Sequence, residues 1–486
     1  MNAFDYFFEK TSDLEKQFLV GKETISFKQL FNTSLELANY LEKKYGHDKN
    51  ILLISVNNTF FLTAYLAILK SGNICIPLDP YIEKENFAFI SGLTEPVLIF
   101  MTKDIERKLT IGDIQSIYPD TINNPEYKST SSEHGKTFDE ESCAELIFTS
   151  GSTGKPKGVM ISHKNLIANT ESIITYLKLS QNDRMLVVLP FYYCYGLSLL
   201  HTHLRVGGSI VFNNSFIFIG AIINNLLEYS CTGFAGVPSH FQILLRKSDN
   251  FKNTNFPDLK YVTQAGGKLA PIFIDEFRSS FPGVTFYVMY GQTEATARLS
   301  YLPPELYEQK KGSMGKGIPG VELKVINEKG GKIKPGEVGE VIARGDNIML
   351  GYFSDEEGTR NAIRNGWLYT GDLGTVDEDG YIFLTARKKE IIKVGGKRIS
   401  PKEIEAVILE LPEVVDCTIE GIEDELLGEA IKATIVIKPE NGKEALLEKI
   451  KYHCSKHLAL HKVPKIFELN EQLVISATGK KIKGKL

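Results

Sequence analysis

Apolar runs alternate with amphipathic stretches along the first part of the chain. The run 51–56 is typical of a buried strand, the stretch 60–69 of a helix, and the run 74–78 of a second strand. A strand, a helix and a second strand in this order predict a parallel pair joined by a crossover helix. The rhythm returns at 97–100 and 184–189. We therefore predict an α/β fold built on mixed, mostly parallel sheets with helices.

The pattern changes after Gly312. Short strand-like segments separated by Gly and Pro turns follow, which is typical of a small β-rich subdomain over about 312–386. A compact α/β pattern of the size of a small domain comes next. We therefore predict an N-terminal domain over 1–386, a hinge over 387–389 and a small α+β C-terminal domain over 390–486.

Two serines mark predicted helix starts. Ser162 precedes a helical pattern that runs through Ile174, and Ser400 precedes Pro401 at the start of a pattern over 401–410. A serine before a helix accepts a hydrogen bond from one of the first backbone N–H groups, and proline is tolerated at the first helical position. Both serines are therefore predicted N-caps.

Composition indicates a globular protein large enough for two or three domains. The chain has 486 residues, of which 43% are hydrophobic and 24% charged, and its net charge is −4. This balance is typical of a folded enzyme and lacks the basic excess of a nucleic-acid-binding protein. We expect no nucleic-acid partner.

The sequence shows no pattern typical of a membrane protein or of a disulfide framework. The six cysteines are scattered without a C-x-x-C pair and are expected to be reduced and mostly buried. The most apolar long run, near 209–223, is interrupted by Asn213 and Asn214 and is too short to span a bilayer. The first residues carry no signal-peptide pattern. We expect a cytoplasmic protein without a transmembrane segment.

The segment 147–159 carries the densest set of candidate ligand groups. Its hydroxyls, glycines and lysines fall in one turn between an apolar run and a helical pattern: Thr149, Ser150, Gly151, Ser152, Thr153, Gly154, Lys155 and Lys157. Glycines let backbone N–H groups converge on an anion, and hydroxyl and ammonium groups add donors and positive charge. The spacing departs from the G-x-x-x-x-G-K-[ST] pattern of P-loop NTPases. On residue types alone, a phosphate loop and a flexible surface loop are both open.

This segment closely resembles the phosphate loop of the AMP-forming adenylating enzymes, which include acyl-CoA synthetases, peptide-synthetase adenylation domains and luciferases. Five motifs of that superfamily, this segment included, occur in the same order, and the resemblance spans about residues 10 to 486. It implies ATP and Mg²⁺ at the site, a carboxylic acid substrate and a mobile C-terminal domain. It also assigns the loop residues just named to nucleotide binding.

The segment 290–294 suits a metal ion and a phosphate. A carboxylate beside a hydroxyl after an apolar strand is the donor set that Mg²⁺ and phosphate need, although a Thr-Glu pair alone more often begins a helix. The segment matches the superfamily motif Y-G-x-T-E. The resemblance implies that Glu294 binds Mg²⁺, that Thr293 contacts the α-phosphate and that Tyr290 stacks on adenine, with Thr293 and Glu294 catalytic. The other nucleotide contacts that it implies here are Gly266, Gly267, Gly291 and Gln292.

Asp372 closes a match to the superfamily motif W-x-x-T-G-D. An ionised Asp accepts two hydroxyl donors at once, which suits a ribose, while an Asp after glycine is also common in tight turns. The resemblance implies ribose binding by Asp372, ribose or phosphate binding by Arg387 and a hinge at Lys389. The chain departs from the superfamily at Ala386, where glycine is usual, and at Glu390, where aspartate is common.

Lys480 follows Thr478 and Gly479 near the end of the sequence. Four of the last seven residues are lysine, so composition alone favours a solvated basic tail. The superfamily places its catalytic lysine in such a T-G-K segment, which implies that role for Lys480. A lysine there is a mobile point charge that bridges the substrate carboxylate and the α-phosphate.

Gly395 and Gly396 lie in a segment, 393–405, that resembles the superfamily's surface for the thioester step. Glycine lets a narrow pantetheine arm pass close to the backbone. The resemblance implies that the C-terminal domain rotates about the hinge after adenylation, so that Lys480 leaves and this segment enters. The thiol belongs to CoA or to the phosphopantetheine of an acyl carrier protein, and the sequence leaves both open.

The resemblance also outlines an acid pocket. Its residues here are Tyr192, Tyr193, Tyr195, Phe234, Gly236, Val237, Gln264, Ala265, Gly266 and Gly267. Amino-acid-activating members usually carry Asp at the position of Tyr193, and many acyl and aryl activators carry His. A buried ammonium without a carboxylate is costly, so Tyr193 favours an acid that lacks an α-amine. The tyrosines either narrow the pocket or belong to its wall.

We therefore predict an ATP-dependent, AMP-forming ligase that activates a carboxylic acid as an acyl adenylate and transfers it to a pantetheine thiol. The alternative within the class is an amino-acid adenylating enzyme that loads a carrier protein. Outside the class, the alternative is a non-catalytic nucleotide-binding protein of the same fold. Against it stand the intact motif residues Thr149, Thr293, Glu294, Asp372 and Lys480.

Overall fold

The structure is a computed structural model, and it describes residues 1–127, 138–149, 155–216, 218–424, 427–438 and 442–471. Several predicted site residues lie outside these ranges, and their roles stay predictions: Ser150, Gly151, Ser152, Thr153, Gly154 and Lys480.

The helices predicted over 60–69 and 401–410 are present with ends within one residue of the prediction, and they belong to the fourteen helices of the described residues. They are α1 Ala3–Phe8, α2 Phe27–Tyr45, α3 Thr59–Lys70, α4 Lys84–Thr94, α5 Lys103–Glu106, α6 His163–Leu177, α7 Cys194–Val206, α8 Ile219–Glu228, α9 Pro238–Arg246, α10 Asp249–Asn253, α11 Pro271–Ser280, α12 Glu356–Ala362, α13 Pro401–Leu409 and α14 Lys443–His457. Short 3₁₀ turns lie at Pro125–Tyr127, Thr293–Ala295, Pro304–Leu306 and Leu460–Lys462.

Both predicted N-cap residues directly precede their helices, but only Ser162 caps its helix with its side chain. The Ser162 hydroxyl accepts a hydrogen bond from the Asn165 backbone N–H at 3.1 Å, and the Asn165 side chain accepts one from Ser162 in return. This reciprocal pair is a capping box for α6. Ser400 makes no such bond to α13, because its hydroxyl donates to the carbonyl of Thr385 instead.

The strands are short and numerous. They are β1 Gln17–Leu19, β2 Ile25–Ser26, β3 Asn50–Ile54, β4 Ile74–Leu78, β5 Leu98–Met101, β6 Gln115–Ile117, β7 Cys143–Thr149, β8 Lys157–Ser162, β9 Arg184–Val187, β10 Ser209–Phe212, β11 Gly233–Gly236, β12 Tyr261–Gln264, β13 Thr285–Tyr290, β14 Ser300–Leu302, β15 Lys316–Gly317, β16 Val321–Ile326, β17 Gly339–Gly345, β18 Gly351–Tyr352, β19 Ile363–Arg364, β20 Trp367–Val376, β21 Ile382–Arg387, β22 Ile392–Val394, β23 Lys397–Ile399, β24 Val414–Asp424, β25 Gly428–Ile437 and β26 Ile466–Asn470.

Two large sheets carry the N-terminal part of the chain. A nine-stranded sheet has the order β15-β14-β13-β12-β11-β9-β10-β1-β2, and a seven-stranded sheet has the order β18-β8-β7-β4-β3-β5-β6. Their central pairs are parallel, which confirms the α/β prediction. Helix α3 packs on the seven-stranded sheet and α7 on the nine-stranded one, and both are buried along most of their length. The core of this part lies between the sheets.

Two smaller sheets follow along the chain. The first is antiparallel, with the order β16-β17-β20-β19 and with β21 beside β20. The second has the order β23-β22-β25-β24, with β26 parallel to β25, and helix α13 packs against β24. The short strands β15 and β18 join the larger sheets. The stretch 312–386 therefore contributes to three sheets, and the chain beyond it forms the fourth.

Arg246, at the end of α9, ties the two parts of the chain together. Its side chain is only 3% exposed, and its guanidinium pairs with Glu276 at 2.7 Å. It also donates to carbonyl oxygens beyond the end of α13 and at its last residue, those of Leu409, Leu411 and Val414. A helix end leaves carbonyls without intrahelical partners, so one arginine satisfies acceptors that would otherwise be buried unpaired.

The cysteines agree with the prediction. All six lie in the described ranges and form no disulfide there, and each except Cys143 is buried. Among the described residues, no helix combines the length and the apolar character needed to cross a membrane.

Candidate active site

The phosphate-loop segment connects two paired strands. Strands β7 and β8 are antiparallel, and Thr149 lies opposite Lys157 across the pair. The predicted order of strand, turn and helix is therefore wrong, because the apolar residues 159–161 form a strand before α6 begins. Lys155 is the first residue after the turn that the structure describes, and its ammonium lies 5.6 Å from the centre of the Phe89 ring.

Lys157 belongs to a polar chain that reaches the predicted metal ligand. Its Nζ lies 2.6 Å from a carboxylate oxygen of Asp355 and 4.8 Å from the centre of the Tyr352 ring. The hydrogen bond from Lys157 lowers the pKa of Asp355 below its usual value. The Tyr352 hydroxyl in turn donates to the Glu294 carboxylate at 2.9 Å. The loop lysine and the predicted Mg²⁺ ligand are thus joined through one tyrosine.

Thr293 and Glu294 lie in a 3₁₀ turn that follows strand β13. The Thr293 hydroxyl is 3.5 Å from the Cys194 sulfur, and the Glu294 carbonyl accepts from the Met349 backbone N–H at 3.0 Å. The described residues hold no group of three His, Cys, Asp or Glu side chains that would bind a metal unaided. Mg²⁺ is usually held by one or two carboxylates together with phosphate oxygens, so a single carboxylate at Glu294 fits a nucleotide-bound ion.

Gly291 explains why its motif needs glycine. A Cβ at this position would lie 2.0 Å from the carbonyl oxygen of Ala297, a distance that no side chain tolerates. The missing side chain lets the chain fold back against the end of β13 directly after the Thr293–Ala295 turn. The residues from Ala297 onward are therefore held beside the predicted nucleotide contacts.

The predicted ribose ligand lies in a charged network. Asp372 is 4% exposed and lies within β20, opposite Arg387 of β21, and not in a tight turn. One carboxylate oxygen accepts from the Tyr290 hydroxyl at 2.6 Å and the other from Arg387 Nε at 3.0 Å. The Asp372 carboxylate raises the pKa of Arg387 above its usual value. Burial raises the pKa of Tyr290, and the Asp372 carboxylate raises it further. Each oxygen keeps a second lone pair for a ribose hydroxyl.

The predicted acid pocket is assembled around Gly266. This residue has φ 83°, and a Cβ here would lie 2.7 Å from the Tyr193 hydroxyl and 3.0 Å from a Val237 methyl. The remaining predicted pocket residues lie on β11, at the end of β12 and in the turn after it: Phe234, Gly236, Gln264, Ala265 and Gly267. The geometry brings these residues together, and their roles stay predictions.

The three tyrosines of the predicted pocket have different surroundings. Tyr195 is 1% exposed, and its hydroxyl donates to the Thr263 carbonyl at 2.9 Å, so it belongs to the wall. Burial raises the pKa of Tyr192, and the Asp79 carboxylate beside it raises the pKa further. Tyr193 alone contacts the surroundings of Gly266 through its hydroxyl.

The predicted thioester segment forms an exposed hairpin. Gly395 and Gly396 are the two residues between β22 and β23, with φ 53° and 81°. Two consecutive left-handed residues are what a tight two-residue hairpin requires, and glycine adopts them without strain. A Cβ at Gly396 would meet open space. The predicted hinge residue Lys389 lies between this hairpin and β21, where the Lys388 backbone N–H donates to the Gly371 carbonyl at 2.9 Å.

Sequence reasoning missed Arg298. It is 2% exposed, and its guanidinium carbon lies 3.9 Å from the centre of the Tyr195 ring. One signal in the sequence could have found it, since Arg298 is the only charged residue between Glu294 and Glu305. A charged residue in a stretch of small and apolar residues is costly to bury without a partner, so its position after a nucleotide motif makes it a candidate binding residue.

The chain matches known families and proteins over almost its whole length. The profile of the AMP-binding enzymes matches residues 8–353, and that of the AMP-binding enzyme C-terminal domain matches residues 403–480. An oxalate–CoA ligase of Arabidopsis thaliana is 30% identical over 450 residues, covering 88% of this chain and 86% of that protein. A long-chain-fatty-acid–CoA ligase of Salmonella typhimurium is 29% identical over 510 residues, covering 96% and 90% respectively.

A solved structure supports the same assignment. The o-succinylbenzoate coenzyme A synthetase of Bacillus subtilis, in complex with ATP and a magnesium ion, aligns with a TM-score of 0.84 and 25% identity over 100% of this chain and 99% of that one. The same enzyme in complex with its acyl-adenylate intermediate also gives a TM-score of 0.84. The chain therefore belongs to the AMP-binding enzyme family, and it is an AMP-forming acid–thiol ligase, as the motifs predicted.

Proposed function

We propose that the protein converts a carboxylic acid, ATP and CoA into an acyl-CoA, AMP and pyrophosphate. The acid carboxylate attacks the α-phosphorus and pyrophosphate leaves; the CoA thiol then attacks the acyl carbon and AMP leaves. The contact between Thr293 and Cys194, 3.5 Å apart, carries this proposal. It joins the turn with the predicted phosphate and metal ligands to the helix start beside Tyr193, so an acid and an α-phosphate can meet there.

Different residues of the site bind different parts of the nucleotide. Asp372 accepts the ribose hydroxyls while Tyr290 and Arg387 hold its carboxylate in place. Thr293 donates to the α-phosphate, and Thr149 with Lys155 and Lys157 supports the loop that holds the other phosphates. Glu294 would hold Mg²⁺, which when bound neutralises part of the phosphate charge. Gly266, Gly267 and Gln292 complete the nucleotide site.

CoA is the thiol that the comparisons favour. The Arabidopsis and Salmonella relatives are both named as CoA ligases. The phosphopantetheine of an acyl carrier protein presents the same thiol and remains the alternative acceptor. The free cysteines fit the predicted cytoplasmic location.

The domain organisation proposed is an N-terminal domain over 1–386, a hinge over 387–389 and a C-terminal cap over 390–486. Rotation about Lys389 would exchange Lys480 for the Gly395–Gly396 turn between the two half-reactions. The exposed turn and the open space at Gly396 support this, because a pantetheine arm needs backbone without side chains.

The acid proposed lacks an α-amine. An ammonium needs a carboxylate partner when buried, and the described surroundings of Gly266 present the hydroxyl of Tyr193 and a methyl of Val237. The amino-acid alternative would require a carboxylate in this pocket. The relatives do not identify the acid substrate, since their names include both oxalate and long-chain fatty acids.

Acid-dependent ATP–pyrophosphate exchange tests this proposal directly. We expect exchange with one class of fatty, hydroxy, aryl or dicarboxylic acid in the presence of Mg²⁺, and none with amino acids. CoA and a phosphopantetheinylated carrier protein are then offered in parallel, and we expect an acyl thioester with CoA. Exchange confined to amino acids would favour the carrier-loading alternative, and no acid-dependent exchange would contradict the proposed function.

Lys480→Ala tests the predicted division between the half-reactions. Loss of one preorganised charge should slow adenylate formation by on the order of 10²–10³-fold. Thioester formation from pre-made acyl adenylate should remain near the wild-type rate, because Lys480 would have left the site by then. Lys481→Ala is the matched control and should leave both rates unchanged. An equal loss in both half-reactions would contradict the two-orientation account.

A further inference from the structure

Arg298 is a buried cation at the acid end of the site. Its side chain stacks over Tyr195, with 3.9 Å between the guanidinium carbon and the ring centre, and only 2% of the residue is exposed. Its Nη1 donates to the carbonyl of its own neighbour Ala297 at 3.1 Å. The guanidinium also lies beside the Tyr176 hydroxyl: burial raises the pKa of Tyr176, and Arg298 acts on it in the opposite direction. Among the described residues, the Arg298 Nε has no hydrogen-bond partner.

No carboxylate balances this charge within the described part of the chain, where Arg298 forms no ion pair. An acid in such a position escapes the cost of burial by taking up a proton. Arginine cannot give up its proton in a protein, so its charge stays. Cation–π stacking on Tyr195 offsets part of the desolvation cost and leaves Nε without an acceptor among the described residues.

The backbone of Arg298 is held firmly. Its carbonyl accepts from the Asn347 side chain at 2.7 Å and from the Asn169 side chain at 3.2 Å, and all three residues are buried. Gly291 allows the close return of the chain just before it. The guanidinium is thus attached to a backbone segment that hydrogen bonds hold in place, as is expected of a residue that binds a ligand.

The charge of Arg298 reaches the acid pocket. Burial raises the pKa of Tyr193, and the Arg298 charge acts on the same hydroxyl in the opposite direction. That hydroxyl lies against Gly266, the centre of the predicted pocket. Arg298 also follows Thr293 by only five positions. Arg298 therefore lies on the same short segment as Thr293 and against Tyr195, in the wall of the predicted acid pocket.

We propose that Arg298 is a specificity-determining residue that binds a second carboxylate on the acid substrate, so that the preferred substrate is a dicarboxylic acid. This inference rests on the proposed function of the same site. A guanidinium presents donors in a fork that matches a carboxylate through two parallel hydrogen bonds. The first carboxylate reacts with ATP, and the second stays bound and unchanged.

Matched acid pairs test the preference of the wild-type enzyme. ATP–pyrophosphate exchange is measured with butyrate against succinate, hexanoate against adipate and benzoate against terephthalate, each pair differing by one carboxylate. We expect kcat/KM for the dicarboxylate to exceed that for its partner by on the order of 10²-fold in at least one pair, because the site leaves a buried charge unpaired with the monoacid. A preference for the monoacid in every pair would overturn the inference and leave the proposed function standing.

Variants of Arg298 separate binding from a structural role. Arg298→Met keeps the length of the side chain and removes the charge, and it should reduce the dicarboxylate preference by on the order of 10²-fold through KM. Arg298→Lys keeps the charge and loses the fork, so its preference should fall between those of wild type and Arg298→Met. If Arg298→Met does not fold, the lysine variant alone decides. An unchanged preference in a folded variant would show that Arg298 is only structural.

Arg184 supplies the matched control. It also has a partly buried guanidinium with an unpartnered Nε, and it donates to the Tyr229 carbonyl. It lies at the first residue of β9, at the opposite end of the sheet from the acid pocket. Arg184→Met should leave the acid preference unchanged. Equal shifts in the Arg184 and Arg298 variants would contradict a specific role for Arg298, and no exchange with any acid would contradict the proposed function itself.

Discussion

Arg246 and Arg298 are two buried arginines with opposite surroundings. Each stacks over an aromatic ring, Arg246 over Phe273 at 4.2 Å and Arg298 over Tyr195 at 3.9 Å. Arg246 also has a carboxylate partner in Glu276 and three carbonyl acceptors beyond it. Arg298 has one neighbouring carbonyl and the Tyr176 hydroxyl beside it, and it forms no ion pair among the described residues.

The difference separates an arginine that holds the fold from one that is available to a ligand. Arg246 donates hydrogen bonds to carbonyl oxygens at the end of α13, so its guanidinium already has acceptors in the folded chain. Arg298 is buried with its Nε unpartnered among the described residues, which costs free energy unless a ligand supplies an acceptor. A region that is satisfied by its own chain is structural, whereas one that is left unsatisfied beside a site is prepared for a substrate.

The first prediction tests this comparison through the free energy of unfolding of two variants. Arg246→Met leaves Glu276 and several buried carbonyls without their partner, so the free energy of unfolding should fall by about 3 kcal/mol. Arg298→Met removes a buried charge without a counter-charge, so the same quantity should change by less than about 1 kcal/mol in either direction. Chemical denaturation of both variants, followed by fluorescence, measures the two values side by side.

Arg278 provides the control for that prediction. It pairs with Glu308 and stacks on Tyr307 from α11, but its side chain is 35% exposed. Exposed pairs contribute about 0–1 kcal/mol, so Arg278→Met should have a small effect. If Arg298→Met were as destabilising as Arg246→Met, Arg298 would be structural and the contrast drawn here would fail.

The second prediction uses a buried acid as the counterpart of Arg298. Glu145 on β7 is 1% exposed, and its carboxyl accepts from the Tyr65 hydroxyl at 2.9 Å. It forms no ion pair with any residue in the described ranges. Burial raises the pKa of Glu145 to about 7. Unlike arginine, this group can avoid the cost of a buried charge by holding its proton.

The sign of the pH effect follows from that pKa. Between the ordinary value for glutamate and about 7, the folded state keeps the proton and the unfolded state has lost it, so the free energy of unfolding falls as pH rises through this window. Glu145→Gln removes the titration and should gain on the order of 2 kcal/mol over wild type at high pH, with the gain fading as pH falls. Denaturation curves across this window measure it; a constant difference at every pH would contradict the assignment.

The sequence predicted the parts of the site that lie in contiguous motifs. Asp372, Thr293 and Glu294 were found because each lies in a motif of a few residues whose chemistry is local, and Gly291 is required by contacts within its own turn. The alternation of strands and helices likewise predicted the parallel sheets, because each βαβ unit is close in sequence.

What the sequence could not show depends on distant contacts. Ser400 does not cap its helix with its side chain because a carbonyl fifteen positions earlier, that of Thr385, takes its hydroxyl. Residues 159–161 form a strand because β7 and β18 pair with them on either side. The burial of Arg298 arises in part from Tyr195, which lies about a hundred positions earlier in helix α7. Tertiary partners of this kind leave no periodic pattern in the chain.

The most direct measurement for the central claim follows the oxygen atoms of the acid. A carboxylic acid labelled with ¹⁸O in its carboxyl group is converted with unlabelled ATP, Mg²⁺ and CoA, and the products are analysed by mass spectrometry. If the carboxylate attacks the α-phosphorus, AMP carries one ¹⁸O and pyrophosphate carries none. Label in inorganic phosphate, with ADP in place of AMP, would contradict the account.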